Sequence, residues 1–262
     1  MSRKIVAIGG GENGRLQDDG SRNPYETAPM DLEIISLTGK NKPNFLFLGH
    51  ANIGVQEGYF SVMVDIYNKM YSCECRILHS DDLADRTKTQ DLINWADIIY
   101  VGGGNTRSMI ELWKTTEFDE VLTKAYEDGK VMCGVSAGAN CWFSSCSSDA
   151  LQIEQNDPNA PLIKVDALGL VDALFTPHCD EKNRLNHMKD LLRTEDTIGI
   201  AMSNCAAIVI VDDEFRIITS DASYHGIEAY GIKAYWENGE YVQEKIEQSN
   251  EFRNLNELLA MK

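Results

Sequence analysis

The chain has 262 residues, 43% of them hydrophobic, and a formal net charge of −17 at pH 7. The length and the apolar content allow a sizeable core and argue against a disordered chain. The excess of acidic residues argues against nucleic acid or an anionic membrane surface as a partner, because both attract clusters of basic side chains. The number of cysteines is odd, seven, which is typical of reduced thiols, so we expect a cytoplasmic protein.

Apolar runs and helical spacing alternate through the first half of the chain. Strands are predicted at residues 3–8, 44–48, 73–78, 98–101 and 131–134. Helices are predicted at residues 24–37 and 55–70, before residue 95, after residue 106 and at residues 117–128. This alternation is typical of an α/β fold that has a mostly parallel sheet with helices on both faces. In such sheets, ligands bind beyond the carboxyl ends of the strands.

The first predicted strand runs into a glycine-rich stretch, G-G-G-E-N-G at residues 9–14. The stretch formally matches the G-x-G-x-x-G fingerprint of dinucleotide-binding proteins. That fingerprint needs a helix that begins within the glycines, so that the pyrophosphate meets the helix N-terminus. Residues 18–24, with the sequence D-D-G-S-R-N-P, indicate a loop instead. We therefore predict no nucleotide here, and we predict no other cofactor and no metal.

The pattern changes after residue 140. Two polar stretches, residues 144–149 and 157–161, are interpreted as loops, and a charged helix is predicted at residues 181–193. Shorter strands are predicted at residues 198–202, 206–211 and 215–219, followed by a hairpin around Asn238-Gly239. We expect these strands to form a C-terminal antiparallel extension. No repeat or long linker divides the chain, so residues 1–262 are expected to form a single α/β domain.

The sequence G-V-S-A-G at residues 134–138 has the pattern of a nucleophile elbow. It follows an apolar strand and precedes a segment that can begin a helix, which is the setting in which G-x-S-x-G presents a reactive serine. The two glycines let the chain turn sharply around Ser136. The alternative is a glycine-rich turn with an incidental serine, since five-residue patterns recur by chance.

A serine nucleophile needs a base, and His178 is the best placed of the five histidines. It ends an apolar run and follows a proline, whose fixed φ stiffens the backbone there. The base in turn needs an orienting carboxylate. Asp149 and Glu154 both lie between Ser136 and His178 in the sequence and are candidates. Asp180 is a less comfortable third candidate, because it lies so close to His178.

An oxyanion hole needs two N–H donors aimed at the substrate oxygen. The amide of Ala137, directly after the serine, is one candidate. The glycine loop at residues 102–104 is expected to offer the other, because a backbone without Cβ atoms allows close approach. Asn105 follows this loop and is a candidate for substrate binding. Alternatively, Asn105 and Thr106 cap the next helix.

Three motifs together resemble peptidase family S51: V-G-G-G-N-T at residues 101–106, G-V-S-A-G-A-N at residues 134–140 and P-H at residues 177–178. This family contains dipeptidase E, an aspartyl dipeptidase, and cyanophycinase. The order and spacing of the motifs fit the family from the first strand to the late hairpins. The resemblance implies a fold like that of class I glutamine amidotransferases, with serine in place of their cysteine.

The resemblance also implies roles for individual residues. Ser136 would be the nucleophile, His178 the general base, and the amides of Gly104 and Ala137 the oxyanion hole. The third member of the triad varies between Asp and Glu in the family. Asp149 falls in the segment that matches the acid of dipeptidase E, and we favour it. Glu154 lies at a distance from the serine that is more like that of the cyanophycinase acid.

One departure from the family concerns the substrate. In dipeptidase E an aromatic residue follows the histidine, whereas here the sequence C-D-E at residues 179–181 places acids beside the site. A substrate with an N-terminal aspartate would be repelled unless a cation intervenes. Arg184, one turn along the next helix, is predicted to bind the substrate, and Arg107 is an alternative. Both could equally be surface residues.

We therefore predict a serine-type exopeptidase or dipeptidase that cleaves short peptides, with aspartate as one candidate for the N-terminal residue. The composition is compatible with a monomer or a homodimer. The alternatives are a cyanophycinase-like hydrolase of β-Asp-Arg links, an esterase, and a non-catalytic binding protein on the same fold. Against an α/β-hydrolase esterase, His178 follows Ser136 too closely to leave room for the usual intervening strands and helices.

Overall fold

The structure is a computed structural model that describes residues 2–17, 19–221 and 228–261. Within these ranges, helices α1 to α9 span Ala28–Ser36, Gln56–Met63, Arg86–Trp95, Thr106–Thr116, Phe118–Glu127, Ala137–Asn140, Ala150–Gln155, Arg184–Leu192 and Leu255–Leu259. A π-helix, Val64–Met70, continues α2, and two 3₁₀ helices occupy Ile53–Val55 and Ser80–Ala84. Strands β1 to β14 span Lys4–Ile8, Asn44–Leu48, Glu74–Ile77, Ile98–Val101, Val131–Val135, Phe143–Ser148, Ile163–Asp166, Val171–Thr176, Gly199–Met202, Ala206–Val211, Glu214–Thr219, Gly231–Glu237, Glu240–Ile246 and Arg253–Asn254.

The first of two sheets has the strand order β14-β11-β10-β1-β5-β4-β2-β3. The five strands from β1 to β3 in this order run parallel, and β10, β11 and β14 are added antiparallel at the other side. The central parallel strands are almost continuous apolar runs, as expected where both faces of a sheet are covered. The predicted α/β fold with a largely parallel sheet is confirmed.

The second sheet has the order β13-β12-β9-β8-β6-β7. Its central strands β6, β8 and β9 are parallel, and its outer strands pair antiparallel. The predicted antiparallel extension is therefore divided, because β10, β11 and β14 join the first sheet whereas β12 and β13 join the second. The predicted terminal hairpin is β12–β13, and its turn places Asn238 and Gly239 at φ 53° and 83°.

Strand β6 contradicts one prediction. Residues 144–149 were expected to form a loop because they are small and polar, but Phe143–Ser148 is a strand. Ser145, Ser147 and Ser148 are buried in it. The Ser147 hydroxyl lies 2.7 Å from Nδ1 of His187 on α8, so a side-chain hydrogen bond satisfies part of this buried polar surface. Packing between two strands and a helix outweighs the low strand propensity of serine.

Apolar clusters lie on both faces of the first sheet. One lies beneath α1, α2 and the π-helix, and the other fills the space between the first sheet, helices α3 to α5 and the second sheet. A smaller cluster joins α8 to the second sheet. This arrangement brings the carboxyl end of β1 against that of β9, where a Cβ atom added to Gly9 would lie 2.5 Å from the Met202 carbonyl oxygen.

The helices in the described ranges are all too short or too polar to cross a bilayer. The seven cysteines all lie in the described ranges and carry free thiols. That residues 1–262 form one domain stays a prediction.

Candidate active site

Ser136 follows β5 in a strained backbone conformation. Its φ of 55° and ψ of −112° lie in a region that residues with a Cβ seldom adopt, at a cost of about 1–3 kcal/mol. Its amide donates a hydrogen bond to the Ile8 carbonyl, 3.0 Å away, in the neighbouring strand. A Cβ atom on Gly138 would lie only 2.0 Å from the Val101 carbonyl oxygen, so glycine is required for the turn to pack against β4. Strand, turn and short helix α6 thus present the serine as a nucleophile elbow does.

His178 faces this serine. Its Nε2 atom lies 3.0 Å from the Ser136 hydroxyl oxygen. The histidine follows β8 of the second sheet, has a left-handed φ of 50°, and donates its backbone N–H to the Gly9 carbonyl at 3.0 Å. Its side chain is 20% exposed, so substrate can reach it. The two sheets therefore bring a hydroxyl and an imidazole to the distance that a serine and its base need.

The group at the other imidazole nitrogen is Asn204. Its Oδ1 atom lies 2.8 Å from Nδ1 of His178. Asp149, predicted for this position, is not the partner. Sequence reasoning missed Asn204 because an amide is not the usual orienting group for a catalytic histidine. Only its position in the sequence could have indicated Asn204. It follows β9, which pairs in parallel with β8, so the carboxyl ends of the two strands lie side by side.

Asp149 and Arg184, two predicted site residues, pair with each other instead. A guanidinium nitrogen of Arg184 donates to Asp149 Oδ2 at 2.8 Å, and Arg184 is only 6% exposed. The Nε atom of Arg184 lies 3.9 Å from Glu181. A buried guanidinium needs a carboxylate close by, which accounts for the position of Asp149 at the start of α7. Arg184 is therefore engaged with protein carboxylates rather than open to a substrate.

Asn105 is held in the same way by its neighbours. Its Oδ1 atom accepts the Ser108 amide at 3.0 Å as the N-cap of α4, and its Nδ2 atom donates to Glu154 at 2.9 Å. Asn105 therefore caps α4, which was the alternative to a role in substrate binding. Glu154 also pairs with Arg107, whose hydrogen bonds hold the pKa of that carboxyl below its usual value. The structure therefore brings neither Glu154 nor Arg107 to the histidine.

The glycine loop at residues 102–104 passes beside the serine. A Cβ atom on Gly103 would lie 3.6 Å from that of Ser136, and the Gly103 amide nitrogen lies 3.5 Å from the Tyr59 hydroxyl. At Gly104, φ is 141° and a Cβ atom would lie 2.3 Å from the Ala51 carbonyl oxygen. Ala137, the other predicted oxyanion donor, is the first residue of α6. The glycine loop and Ala137 therefore both lie next to Ser136.

The glycines at residues 9–11 belong to this site. A Cβ atom on Gly10 would lie 2.1 Å from Oδ1 of Asn204 and 2.4 Å from Nδ1 of His178. The Gly10 carbonyl accepts the Cys205 amide at 2.9 Å. The stretch that resembles a dinucleotide fingerprint is thus the backbone against which the histidine and its partner pack. The segment after it is irregular, as predicted, although Asp18 lies outside the described residues.

The other histidines differ in environment. His50 is buried, accepts the Trp113 indole N–H at Nδ1 (2.9 Å) and donates from Nε2 to the Leu78 carbonyl (2.9 Å), so it is a core residue. His79 pairs with Glu57. His187 is half-buried, and its Nδ1 atom lies 2.7 Å from the Ser147 hydroxyl. His225 lies outside the described residues.

A cleft of about 570 Å³ is lined by His178, whose Nε2 atom contacts the Ser136 hydroxyl. Arg15 lies in its wall, donating from Nε (2.9 Å) and a terminal nitrogen (2.7 Å) to the Glu12 carboxylate. The described residues hold no group of three or more histidine, cysteine, aspartate or glutamate side chains arranged to bind a metal ion. The lining includes Gly11, Glu12, Asn13, Arg15, Asn52, Val55, Tyr59, Gly103, His178 and Asn204.

The sequence matches the model of peptidase family S51 over residues 20–218. The chain belongs to peptidase family S51. A relative from Bacillus subtilis (strain 168), described as the uncharacterized peptidase YgaJ, is 29% identical over 235 residues, which cover 88% of this chain and 92% of that protein. The Peptidase E of Shewanella denitrificans is 27% identical over 109 residues, 42% of this chain and 44% of that protein.

The fold of this S51 peptidase is similar to that of a solved relative. A peptidase from an acI-B1 Actinobacterium superimposes with a TM-score of 0.69 over 97% of both chains, at 16% sequence identity. The match to the family model confirms the family resemblance seen in the motifs, and the protein is a peptidase, a hydrolase.

Proposed function

We propose that this S51 peptidase is a serine-type exopeptidase that hydrolyses dipeptides and other short peptides through a covalent acyl-enzyme. The observation that carries the proposal is the 3.0 Å contact between the Ser136 hydroxyl and Nε2 of His178 at a strained elbow. A serine hydroxyl becomes an effective nucleophile when a positioned base takes its proton. Asn204, at Nδ1 of His178, takes the place that we predicted for Asp149.

The reaction follows from these positions. His178 accepts the hydroxyl proton while Ser136 Oγ attacks the peptide carbonyl carbon, and the C–N bond then breaks as His178 gives that proton to the leaving amine. Water attacks the resulting ester as it passes a proton to His178. The bond between the acyl carbon and Ser136 Oγ then breaks, and His178 returns the proton to Oγ, which releases the acid and the free serine. The amide of Ala137 and those of the Gly103–Gly104 pair stabilise the oxyanion. At 3.5 Å, the contact of the Gly103 amide with Tyr59 is at the limit of a hydrogen bond, which leaves this amide for substrate.

Arg15 is the cation that we propose for an acidic substrate group. Arg184 and Arg107 are engaged with Asp149 and Glu154, whereas Arg15 lies in the cleft with His178 and its side chain is 57% exposed. Two of its N–H groups point to Glu12, and a guanidinium carries five. The remaining donors suit a carboxylate, so dipeptides with an N-terminal aspartate are the proposed preferred substrates.

A dipeptide panel tests the proposal: Asp-Leu, Glu-Leu, Ala-Leu, Arg-Leu and β-Asp-Arg, each with wild type and Ser136→Ala. We expect turnover to be fastest for Asp-Leu and to be lost in Ser136→Ala. Faster turnover of β-Asp-Arg would indicate a cyanophycinase-like hydrolase, and faster turnover of a p-nitrophenyl ester than of any dipeptide would indicate an esterase. Absence of both turnover and labelling of Ser136 by a covalent serine probe would indicate a non-catalytic binding protein.

A further inference from the structure

The side chain of Asn204 is fixed by the carboxylate of Asp180. The backbone N–H of Asn204 donates to Asp180 Oδ1 at 2.8 Å, and its Nδ2 atom donates to Oδ2 at 3.1 Å and to Oδ1 at 3.3 Å. An ionised carboxylate only accepts hydrogen bonds, so it can face only the NH₂ end of the amide. The amide oxygen is therefore directed at His178, where it lies 2.8 Å from Nδ1.

This orientation determines which nitrogen of His178 carries the proton. The amide oxygen of Asn204 can only accept, so Nδ1 of His178 must donate to it. Nε2 is then unprotonated and accepts a hydrogen bond from the Ser136 hydroxyl at 3.0 Å. A general base at Nε2 needs this tautomer. With the amide turned over, its NH₂ group would face Nδ1 and favour the opposite, inactive tautomer.

Charge gives Asp180 a second effect. The imidazole becomes positive during the reaction, and the amide that contacts Nδ1 is neutral. Asp180 and Asn204 are both half-buried, where a fixed carboxylate is screened less than at the surface. Glu181 also lies near, 3.5 Å from Nδ1, but its side chain is 50% exposed and Arg184 lies 3.9 Å from it. Of the two carboxylates, Asp180 is held more closely, since it accepts three hydrogen bonds from Asn204, whereas Glu181 accepts one, from Nδ2 at 3.4 Å.

We propose that Asp180 is a positioning residue for the reaction, acting on His178 through Asn204. Ser136, His178, Asn204 and Asp180 then form one hydrogen-bonded relay, in which the carboxylate lies one residue farther from the imidazole than in a three-residue triad. The serine proton moves to Nε2 of His178 and on to the leaving amine. Asp180 stays ionised and Asn204 neutral throughout. The inference rests on the proposed serine mechanism.

Three changes in the relay separate orientation from charge. Asp180→Asn keeps an oxygen that accepts from Asn204 and removes the charge, so we expect a roughly tenfold lower kcat with little change in KM. Asp180→Ala frees the amide to turn, so we expect a loss of roughly 10²-fold or more. In the double variant Asp180→Asn with Asn204→Asp, the new amide donates to a carboxylate that accepts directly from Nδ1. We expect this variant to recover most of the kcat that Asp180→Ala loses.

Two readouts distinguish this role from a structural one. The first is the rate at which a fluorophosphonate labels Ser136, which needs no knowledge of the substrate. The second readout is the acid limb of the pH–rate profile. We expect this limb to move to lower pH in Asp180→Asn, because the imidazolium is less stabilised there. In the double variant we expect it to move to higher pH. Glu181→Gln is the matched charge change, and we expect it to affect labelling less than Asp180→Asn does.

Several results would overturn the proposal. These are a wild-type labelling rate and pH profile in Asp180→Ala, no recovery in the double variant, or a larger effect of Glu181→Gln than of Asp180→Asn. In each of these cases, Ser136→Ala stays inactive if the serine mechanism holds. Continued peptide hydrolysis by Ser136→Ala would instead refute the serine mechanism itself.

Discussion

The carboxylate of Asp149 lies 2.8 Å from the guanidinium of Arg184, and this contact holds Asp149 at Arg184 rather than at the imidazole of His178. The acid predicted to orient the histidine instead compensates a buried cation, and an amide lies at Nδ1 of His178. We therefore expect Asp149 and Asn204 to have different functions, Asp149 in stability and Asn204 in the reaction.

Substitution of the two residues should separate these functions. Asp149→Asn leaves the buried Arg184 with a neutral partner, so we expect a loss of about 1–3 kcal/mol in the free energy of unfolding and a kcat within about threefold of wild type. Asn204→Ala leaves the fold intact and should lower kcat roughly 10²-fold. Urea unfolding and steady-state kinetics measure both effects. Loss of activity at unchanged stability in Asp149→Asn would restore Asp149 as the third triad member.

Gly10 is predicted to be essential for the geometry of the base. In Gly10→Ala the new methyl group would lie 2.1 Å from the amide oxygen of Asn204 and must displace it or His178. A shift of about 1 Å in a catalytic group can lower the rate about 10²-fold, and we expect a kcat loss of that size. Gly54→Ala is the control, because nothing lies within 4 Å of a Cβ atom there. Equal kcat values in the two variants would contradict close packing at the site.

Arg15 is predicted to determine the preference for an acidic substrate. Arg15→Met should raise KM for Asp-Leu at least tenfold and leave KM for Ala-Leu nearly unchanged, because only the former presents a side-chain carboxylate to the cleft. Arg86→Met serves as the control. It removes an equal charge from the ion pair of Arg86 with Glu117, and neither of these residues lines the cleft. Equal KM changes for both dipeptides would show that Arg15 does not bind the aspartate side chain of the substrate.

Two buried groups are expected to oppose each other in the pH dependence of stability. Burial raises the pKa of Asp31 to about 6, although the hydroxyl groups of Tyr67, Thr27 and Tyr25 donate to it and lower the value. Burial lowers the pKa of His50 to about 4, partly offset by its hydrogen bond to a backbone carbonyl. The Asp31 contribution is fully present below its unfolded pKa of 3.8 and is lost as pH rises through about 6. The His50 contribution is present above 6.5 and is lost as pH falls through about 4.

Substitution of each group in turn isolates its contribution to the pH dependence of stability. The unfolding free energy of wild type minus that of Asp31→Asn should fall by about 2 kcal/mol between pH 4 and pH 6. The same difference taken against His50→Gln should rise by a similar amount over this interval. Chemical denaturation at several pH values measures both, with catalytic activity unaffected at neutral pH. Parallel curves for all three proteins would show that neither group titrates differently in the folded state.

The parts of the fold that could be predicted from sequence are those with a continuous apolar pattern. The parallel strands β1, β2, β4 and β5 are almost continuously apolar because both faces of the sheet are covered, and each was predicted. Strand β6 was not, because its buried serines look like a loop until their partner α8 is known. Its neighbours, rather than its own residues, determine that it is a strand.

At the site, Ser136 and His178 could be predicted from sequence, because each lies in a local motif that its backbone conformation requires. Asn204 carries no such motif, since its place beside His178 comes from the pairing of β8 with β9. The contact between β1 of the first sheet and β9 of the second explains the glycines at 9–11, whose packing becomes visible only when His178 and Asn204 are placed against them.

The most direct measurement is the hydrolysis of the best dipeptide by wild type and Ser136→Ala, with mass spectrometry of each protein after treatment with a fluorophosphonate. We expect one adduct on wild type, located at Ser136, together with turnover, and neither adduct nor turnover in Ser136→Ala. Wild-type hydrolysis by Ser136→Ala would contradict the serine mechanism.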